Sequence, residues 1–176
     1  MKTLKNVRLE TGEYFDNRHR LQTKTELFDL RIDGKKITQI IPTKQNSEEA
    51  GIDMQGQLCL PAFKDMHNHL DKTYLSLPWK ACIPSKNLAH RLKLEAEELT
   101  ELAETTEQRA STMIEKYLAS GVDHIRTHVN IDPFIGLKNL EGVKKALKKY
   151  EKYLTADIIA FPQHGLLAHP EMPDLL

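Results

Sequence analysis

The order of secondary-structure patterns from residue 58 onward constrains the fold of this chain more than any other feature. Three apolar segments, QLCLPAF, VDHIRTHVNID and DIIAFPQHGLL, alternate with stretches of helical pattern. Strands that alternate with helices of this length predict parallel pairing through right-handed crossovers. In such sheets the binding and catalytic groups lie at the carboxyl ends of the strands. The pattern therefore predicts an α/β unit and directs attention to the residues that follow each strand.

The segments between these strands carry helical signals. LAHRLKLEAEEL is predicted to be helical, and in the next helix apolar residues recur three and four positions apart. Thr105 and Gln108 have the spacing of a capping box, and Gly121 stands where a helix ends in a left-handed residue. NLEGVKKALKKYEKYL predicts a further amphipathic helix, and we interpret its lysine-rich face as solvated.

Residues 1–57 have the character of a separate β-rich domain, and residues 58–176 form the α/β part. LFDLRIDGKKITQIIP places two apolar runs around Asp33-Gly34, which is a strong hairpin signal. In VDHIRTHVNID, polar and apolar residues alternate, so His124, Arg126 and His128 are predicted to share one face of a strand.

Composition excludes several classes of partner. The formal net charge is zero, so there is no basic excess to attract nucleic acid or an anionic membrane. We find no apolar run of about 20 residues, and the first residues lack the apolar stretch of a signal peptide. Cys59 and Cys82 are predicted to be free thiols in a reducing compartment, and a cytoplasmic location is the resulting expectation.

Polar clusters follow all three predicted strands, as HNHLD, RTHVNID and PQHG. Side chains two apart on a strand point the same way, so His67 and His69 can both reach one ion at about 2.0–2.1 Å. The alternative is a polar strand whose side chains are satisfied by hydrogen bonds. Asp71 either orients a ligand histidine or caps the next segment. We interpret Lys72 and Thr73 as part of the strand-to-loop transition.

LPAFKDMHNHLDKT, GVDHIRTHVNIDPFIGLKNLEGV and IIAFPQHGLL, in this order, resemble the metal-dependent amidohydrolase superfamily and, within it, the cytosine-deaminase-like branch. The resemblance implies the first three β/α units of a TIM-type barrel, incomplete after the third strand and preceded by part of a small β-sandwich domain. It implies that His67 and His69 bind a divalent metal ion, zinc or iron(II), and that Gln163 contacts the substrate. Arg126 and His128 would line the barrel interior.

The implied reaction is hydrolytic deamination, or amide hydrolysis, of a cytosine-like nitrogen heterocycle. The resemblance places further metal ligands and the catalytic proton-transfer groups on later strands, which this sequence does not contain. Catalytic zinc normally has three protein ligands, so two histidines make an incomplete site. None of the other histidines stands at an equivalent position, namely His19, His90, His124, His128, His164 and His169.

We therefore expect the 176-residue chain to be inactive alone. It is then the N-terminal portion of a larger hydrolase, a non-catalytic truncated remnant, or one half of a split enzyme. Self-association or a complementing C-terminal half is the expected partner.

Three residues bear on the pocket. Ala62 replaces a glycine usual in the superfamily, His164 is expected to be a solvent-exposed loop residue, and Trp79 either covers the pocket or packs.

Overall fold

The computed structural model describes residues 1–44, 50–167 and 169–176, and the chain divides into two compact units, Met1–Pro61 and Ala62–Leu176. The first unit contains β1 (Lys2–Phe15), β2 (Leu21–Asp33), β3 (Lys36–Pro42) and β4 (Ile52–Asp53). The second contains β5 (Phe63–Asn68), α1 (Leu88–Leu102), a 3₁₀ turn (Ala103–Thr105), α2 (Thr106–Ala119), β6 (Val122–Asn130), α3 (Lys138–Tyr150), β7 (Thr155–Phe161) and α4 (Met172–Leu175).

The first unit is a four-stranded sheet in the order β3-β2-β1-β4. The predicted hairpin is confirmed, because β2 and β3 pair antiparallel with Asp33 opposite Lys36. Gly34 turns the chain with a φ of +58°, a left-handed value that glycine adopts without steric cost. A buried carboxylate, Asp29, fixes a bulge in β1 by accepting hydrogen bonds from the Asn6 amide and the Thr43 hydroxyl at 3.0 and 2.8 Å.

The prediction that QLCLPAF forms a buried strand is wrong for most of its length. Leu58 instead forms a parallel bridge with Arg8 of β1, and the Cys59 amide donates to the Arg8 carbonyl at 2.9 Å. Pro61 has no N–H for a sheet ladder, so the segment does not continue as a strand. β5 begins only at Phe63, which places His67 within the strand rather than after it.

The second unit contains a parallel sheet in the order β5-β6-β7. The predicted alternation in β6 is confirmed, because Ile125, Thr127 and Val129 are fully buried. These residues face a core to which α2 and α3 contribute Ala110, Ile114, Val143 and Ala146. The opposite face of β6 carries His124, Arg126 and His128, all partly exposed. The polar face is therefore the one available for chemistry.

The helix ends match the sequence signals in part. Gly121 has a φ of +78° just after α2, as predicted. The capping-box prediction is wrong: the Thr105 hydroxyl makes no cap bond and instead contacts the Leu102 carbonyl and the Arg109 side chain, at 3.0 and 2.9 Å. Among the described residues, none of the helices combines the length and apolarity needed to cross a membrane.

Candidate active site

Three imidazole rings meet at the carboxyl ends of β5 and β6. The ring centres of His67 and His69 lie 5.7 Å apart, and His128 lies 4.4 Å from His67 and 5.6 Å from His69. The sequence predicted the first two as metal ligands and His128 only as a residue lining the interior. The structure therefore adds a third imidazole, at a position that the motif alone does not mark.

The spacing of the three rings suits a bound metal ion, whereas the placement of the side chains in this conformation does not. With metal–nitrogen distances of about 2.0–2.1 Å, the centres of two imidazoles on one tetrahedral ion lie roughly 5 Å apart. The observed separations of 4.4–5.7 Å bracket that value. In the conformation seen, however, no group of three or more His, Cys, Asp and Glu side chains in the described part of the chain is placed to hold a metal ion.

Unpaired ring nitrogens identify where the cluster lacks a partner. Nδ1 of His69 and Nδ1 of His128 are buried and have no hydrogen-bond partner among the described residues. A buried polar atom without a partner is costly, so such atoms indicate an interaction that the chain alone does not supply. Imidazole nitrogen is a common ligand for zinc and iron. The chemistry of these nitrogens suits a divalent transition metal, but their placement in this conformation does not bring three ligands to one ion.

The electrostatics of His69 favour its neutral form. Burial lowers the pKa of His69, and the nearby positive charge of Lys72 and the rings of His128 and His67 act in the same direction. Only the neutral ring has a free lone pair, so the shift keeps His69 in the form that can bind a cation near neutral pH.

A hydrogen bond from α2 holds the irregular part of β5. The Asp65 carboxylate accepts from the backbone amide of His67 at 3.0 Å and from the Tyr117 hydroxyl at 2.5 Å. The pairing of β5 with β6 shifts register between Asp65 and Asn68. Asp65 therefore fixes the bulge that carries His67, and burial together with this bond raises the pKa of Tyr117.

A buried polar network supports the segment after His69. Asp71 is fully buried, and its carboxylate accepts from the backbone amide of Asn130 at 2.9 Å and the side chain of Asn139 at 3.2 Å. Burial raises the pKa of Asp71, although these bonds partly oppose it. The buried guanidinium of Arg109 donates to the Asp71 carbonyl at 2.8 Å and also to the Thr73 carbonyl. In place of either expected role, Asp71 ties the end of β5 to β6 and α3.

Gln163 is linked to the histidines through Lys72 and the Phe161 ring. Its side-chain oxygen accepts a hydrogen bond from Lys72, and the Lys72 ammonium lies 5.4 Å from the centre of the Phe161 ring. That ring is 5.4 Å from His69 and 6.1 Å from His128, edge-on to both. The structure thus brings together all three residues predicted for the site and adds Lys72 and Phe161.

Lys72 also pairs with α1. Its ammonium is 2.5 Å from Oε1 of Glu95. Burial alone would raise the pKa of Glu95, but the hydrogen bond and charge of Lys72 outweigh it, so the pKa lies below its usual value. Sequence reasoning missed Glu95, since an acidic residue in a charged helix carries no local signal, and it treated Lys72 as a connecting residue.

For one loop residue the expectation is wrong, and for another one of its two alternatives is wrong. His164 is not solvent-exposed: its side chain is 13% exposed, its Nδ1 lies 3.6 Å from the buried carboxylate of Asp132, and its ring meets Phe134 edge-on. Trp79 does not pack, because it is 89% exposed. Its role as a cover for the pocket stays a prediction.

Known proteins resemble this chain in sequence and in structure. No family model matches the chain. The uncharacterized protein YahJ of Escherichia coli (strain K12) is 36% identical over 174 residues, which cover 97% of this chain and 38% of YahJ. The crystal structure of N-isopropylammelide isopropylaminohydrolase from Burkholderia multivorans ATCC 17616 superposes with a TM-score of 0.78 at 26% identity, covering 100% of this chain and 42% of that one.

The crystal structure of 5-methylcytosine deaminase from Klebsiella pneumoniae liganded with phosphonocytosine superposes with a TM-score of 0.72, also at 26% identity, covering 98% of this chain and 40% of that one. The chain therefore spans about two fifths of the length of these relatives. The comparisons confirm the resemblance to the N-terminal portion of the metal-dependent amidohydrolases of the cytosine-deaminase-like branch.

Proposed function

We propose, from this resemblance, that the chain is the N-terminal portion of a metal-dependent hydrolase that deaminates or hydrolyses a cytosine-like nitrogen heterocycle, and that the chain alone is inactive. The names of its structural relatives refer to N-isopropylammelide and 5-methylcytosine, both nitrogen heterocycles. One observation supports the proposal most. Gln163 follows a different strand from His67 and His69, yet Lys72 and the Phe161 ring connect it to His69 at the same end of the parallel sheet.

In the proposed enzyme, His67 and His69 hold the divalent metal ion, zinc or iron(II). When bound, such an ion acts as a Lewis acid and lowers the pKa of a bound water to about 7. The residues of this chain bind the ion and the substrate and orient them. Asp65 and Asp71 fix the backbone on either side of the two histidines, so the rings start from a defined position.

Gln163 is proposed to bind the edge of the heterocycle. A glutamine amide has two N–H groups and an oxygen with two lone pairs. Lys72 uses one lone pair of the oxygen, so the other lone pair and the N–H groups remain for a ligand. These groups are complementary to the mixed donor and acceptor edge of an amino-pyrimidine or aminotriazine. Lys72 thus acts as a positioning residue for the amide, and Glu95 holds the Lys72 ammonium.

A second candidate is one half of a split enzyme, and the sheet edges favour it. In the described residues, β5 and β7 each have one edge without a neighbouring strand. Phe63, Met66 and Ile159 expose 57%, 44% and 38% of their surface on these strands. Unpaired edges and exposed apolar residues promote association. A complementing C-terminal half or a second copy of the chain would cover them.

Cys59 and Cys82 are free and exposed, which suits the reducing cytoplasm.

Metal content tests the proposed ligands. In the full-length or complemented enzyme loaded with zinc, His69→Ala should lose the metal, and Gln163→Ala should keep it. His124→Ala is the matched control, because that ring lies on the same face of β6 but bonds to Thr155 instead. Loss of zinc in Gln163→Ala, or full retention in His69→Ala, would contradict the division of roles.

Activity tests the other half of the proposal. The zinc- or iron-loaded chain should not release ammonia from cytosine above background, because no proton-transfer groups from later strands are present. Clear turnover that disappears in His67→Ala would refute the expected inactivity. Saturation-transfer NMR with cytosine then tests substrate binding separately from turnover, and its signal should weaken in Gln163→Ala.

A further inference from the structure

We propose that a cavity between α1 and the segment that precedes it binds a small organic monocarboxylate through Arg91 and Lys80. The inference goes beyond the proposed function and does not depend on it, because neither the histidines of β5 nor Gln163 line this cavity.

The cavity lies beside the proposed active site. It has a volume of about 220 Å³, and its walls include Tyr74, Lys80, Ala81, Ile83, Arg91 and Glu98. A smaller cavity of about 60 Å³ shares Tyr74, Arg91 and Glu98 with it and also touches Lys72 and Glu95, which pair with each other. Because Lys72 bonds to Gln163, the two cavities extend from the edge of the active site along α1.

The charged side chains that line the larger cavity leave one positive charge in excess. Lys80 and Arg91 contribute two positive charges, and Glu98 contributes one negative charge. Burial and the hydrogen bond to Glu98 raise the pKa of Tyr74 to about 12, so its phenol adds no negative charge near neutral pH. An anion with a single charge therefore matches the lining.

The two cations have hydrogen-bond donors to offer such an anion. Their nitrogens lie 3.4 and 3.9 Å from the Glu98 carboxylate, whereas favourable N–H···O bonds span about 2.7–3.2 Å. Glu98 accepts instead from the Tyr74 hydroxyl, at 2.7 Å. A guanidinium has five N–H groups and binds a carboxylate through two parallel hydrogen bonds. Arg91 is thus free to bind a carboxylate from solvent, and Lys80 adds a second positive charge.

The rest of the lining favours an organic acid over an inorganic anion. Tyr74, Ala81 and Ile83 contribute apolar surface, which an acid with an aromatic body would cover. Phosphate carries more than one negative charge at neutral pH and has no apolar part. Two sources share the favoured chemistry: a separate small acid, and a carboxylate substituent on the heterocyclic substrate.

An NMR titration of the isotope-labelled chain with benzoate tests the proposal. We expect saturable shifts of the Arg91 Nε–H signal and of the α1 amides. Arg91→Met removes the charge but keeps a side chain of similar shape, and it should bind at least about tenfold more weakly, because it loses hydrogen bonds to a charged group. Lys93→Met is the matched control, since it removes the same charge from an exposed position of α1 outside the cavity. Circular dichroism checks that each variant folds.

Glu98→Gln separates a binding role from a structural one. Glutamine keeps an oxygen that accepts from Tyr74 but carries no charge that attracts Lys80 and Arg91. If the two cations bind an anion, this variant should bind benzoate more tightly than the wild type. If they only stabilise α1 by pairing with Glu98, its affinity for benzoate should not rise.

Two further ligands distinguish the sources of the carboxylate. If it is a substituent of the substrate, cytosine-5-carboxylate should bind more tightly than cytosine or benzoate, and both Arg91→Met and Gln163→Ala should weaken it. If it belongs to a separate acid, benzoate and cytosine should bind independently of each other. Either result supports the carboxylate site.

Three results would overturn the proposal and leave the proposed function standing. They are no benzoate binding by the folded wild type, wild-type affinity in Arg91→Met, and tighter binding of inorganic phosphate than of benzoate. Weaker binding in Arg91→Met and tighter binding in Glu98→Gln, with Lys93→Met unchanged, support it.

Discussion

Gly142 in α3 packs against the start of α2 so closely that one added methyl group should be felt. A Cβ at this position would lie 2.8 Å from Cβ and 2.9 Å from Cγ2 of Thr106, and 3.2 Å from the Glu107 amide nitrogen. Favourable contacts between carbon atoms require about 3.5–4.0 Å. The Gly142→Ala variant therefore forces the two helices apart or displaces Thr106.

Thr106 cannot yield easily. It is fully buried, and its hydroxyl contacts the Asn139 side chain at 2.9 Å and the Arg109 guanidinium at 3.0 Å. Overpacking typically costs about 1–3 kcal/mol, and a backbone atom on one side argues for the upper part of that range. Alanine is a better helix former than glycine by about 0.8–1.0 kcal/mol. We expect Gly142→Ala to lower the free energy of unfolding by about 1–2 kcal/mol.

Urea unfolding followed by far-ultraviolet circular dichroism measures this loss, because the described helices all lie in the second unit. Thr106→Ser removes Cγ2 and keeps the hydroxyl, so the double variant with Gly142→Ala should recover part of the stability. A Gly142→Ala variant at least as stable as the wild type would show that helix propensity outweighs the steric conflict, and the packing argument would be wrong.

Three further outcomes are expected. Tyr117→Phe should lower stability by about 1.5–3 kcal/mol, since it removes a hydrogen bond to a charged group. The folded pKa of Tyr117 is raised, so its contribution to stability is complete below the unfolded pKa of about 10 and is lost as pH rises through the folded value. In an alkaline absorbance titration, the wild type should show a late ionisation of the Tyr117 phenol that the variant lacks. Arg109→Met should cost at least about 3 kcal/mol in urea unfolding, because buried carbonyls lose their donor; a smaller loss would mean that the network is dispensable. Sedimentation velocity over a concentration series should show self-association, reduced by Ile159→Lys, and a cooperative wild-type monomer at micromolar concentration would contradict it.

Sequence patterns predicted those features that depend on neighbouring residues. The alternation in β6 and the turn at Gly34 follow from side-chain periodicity and from backbone conformation, which are local properties. Contacts between distant segments were not predictable in this way. Lys72 meets Gln163 across 91 residues of sequence, and His128 meets His67 only because of the register between two strands. The QLCLPAF prediction was wrong for a similar reason, since β1 competes for that segment.

The buried network around Asp71 also bears on the order of events during synthesis. The Leu70 amide bonds to Thr127, and the Asp71 carboxylate bonds to Asn130 and Asn139, at separations of 57, 59 and 68 residues. As the nascent chain leaves the ribosome, His67 and His69 emerge well before the residues that anchor them. The segment that follows the two histidines therefore lacks these anchors until β6 and the start of α3 have been translated and docked, and until then only the bond between Asp65 and Tyr117 of α2 can hold the strand that carries them.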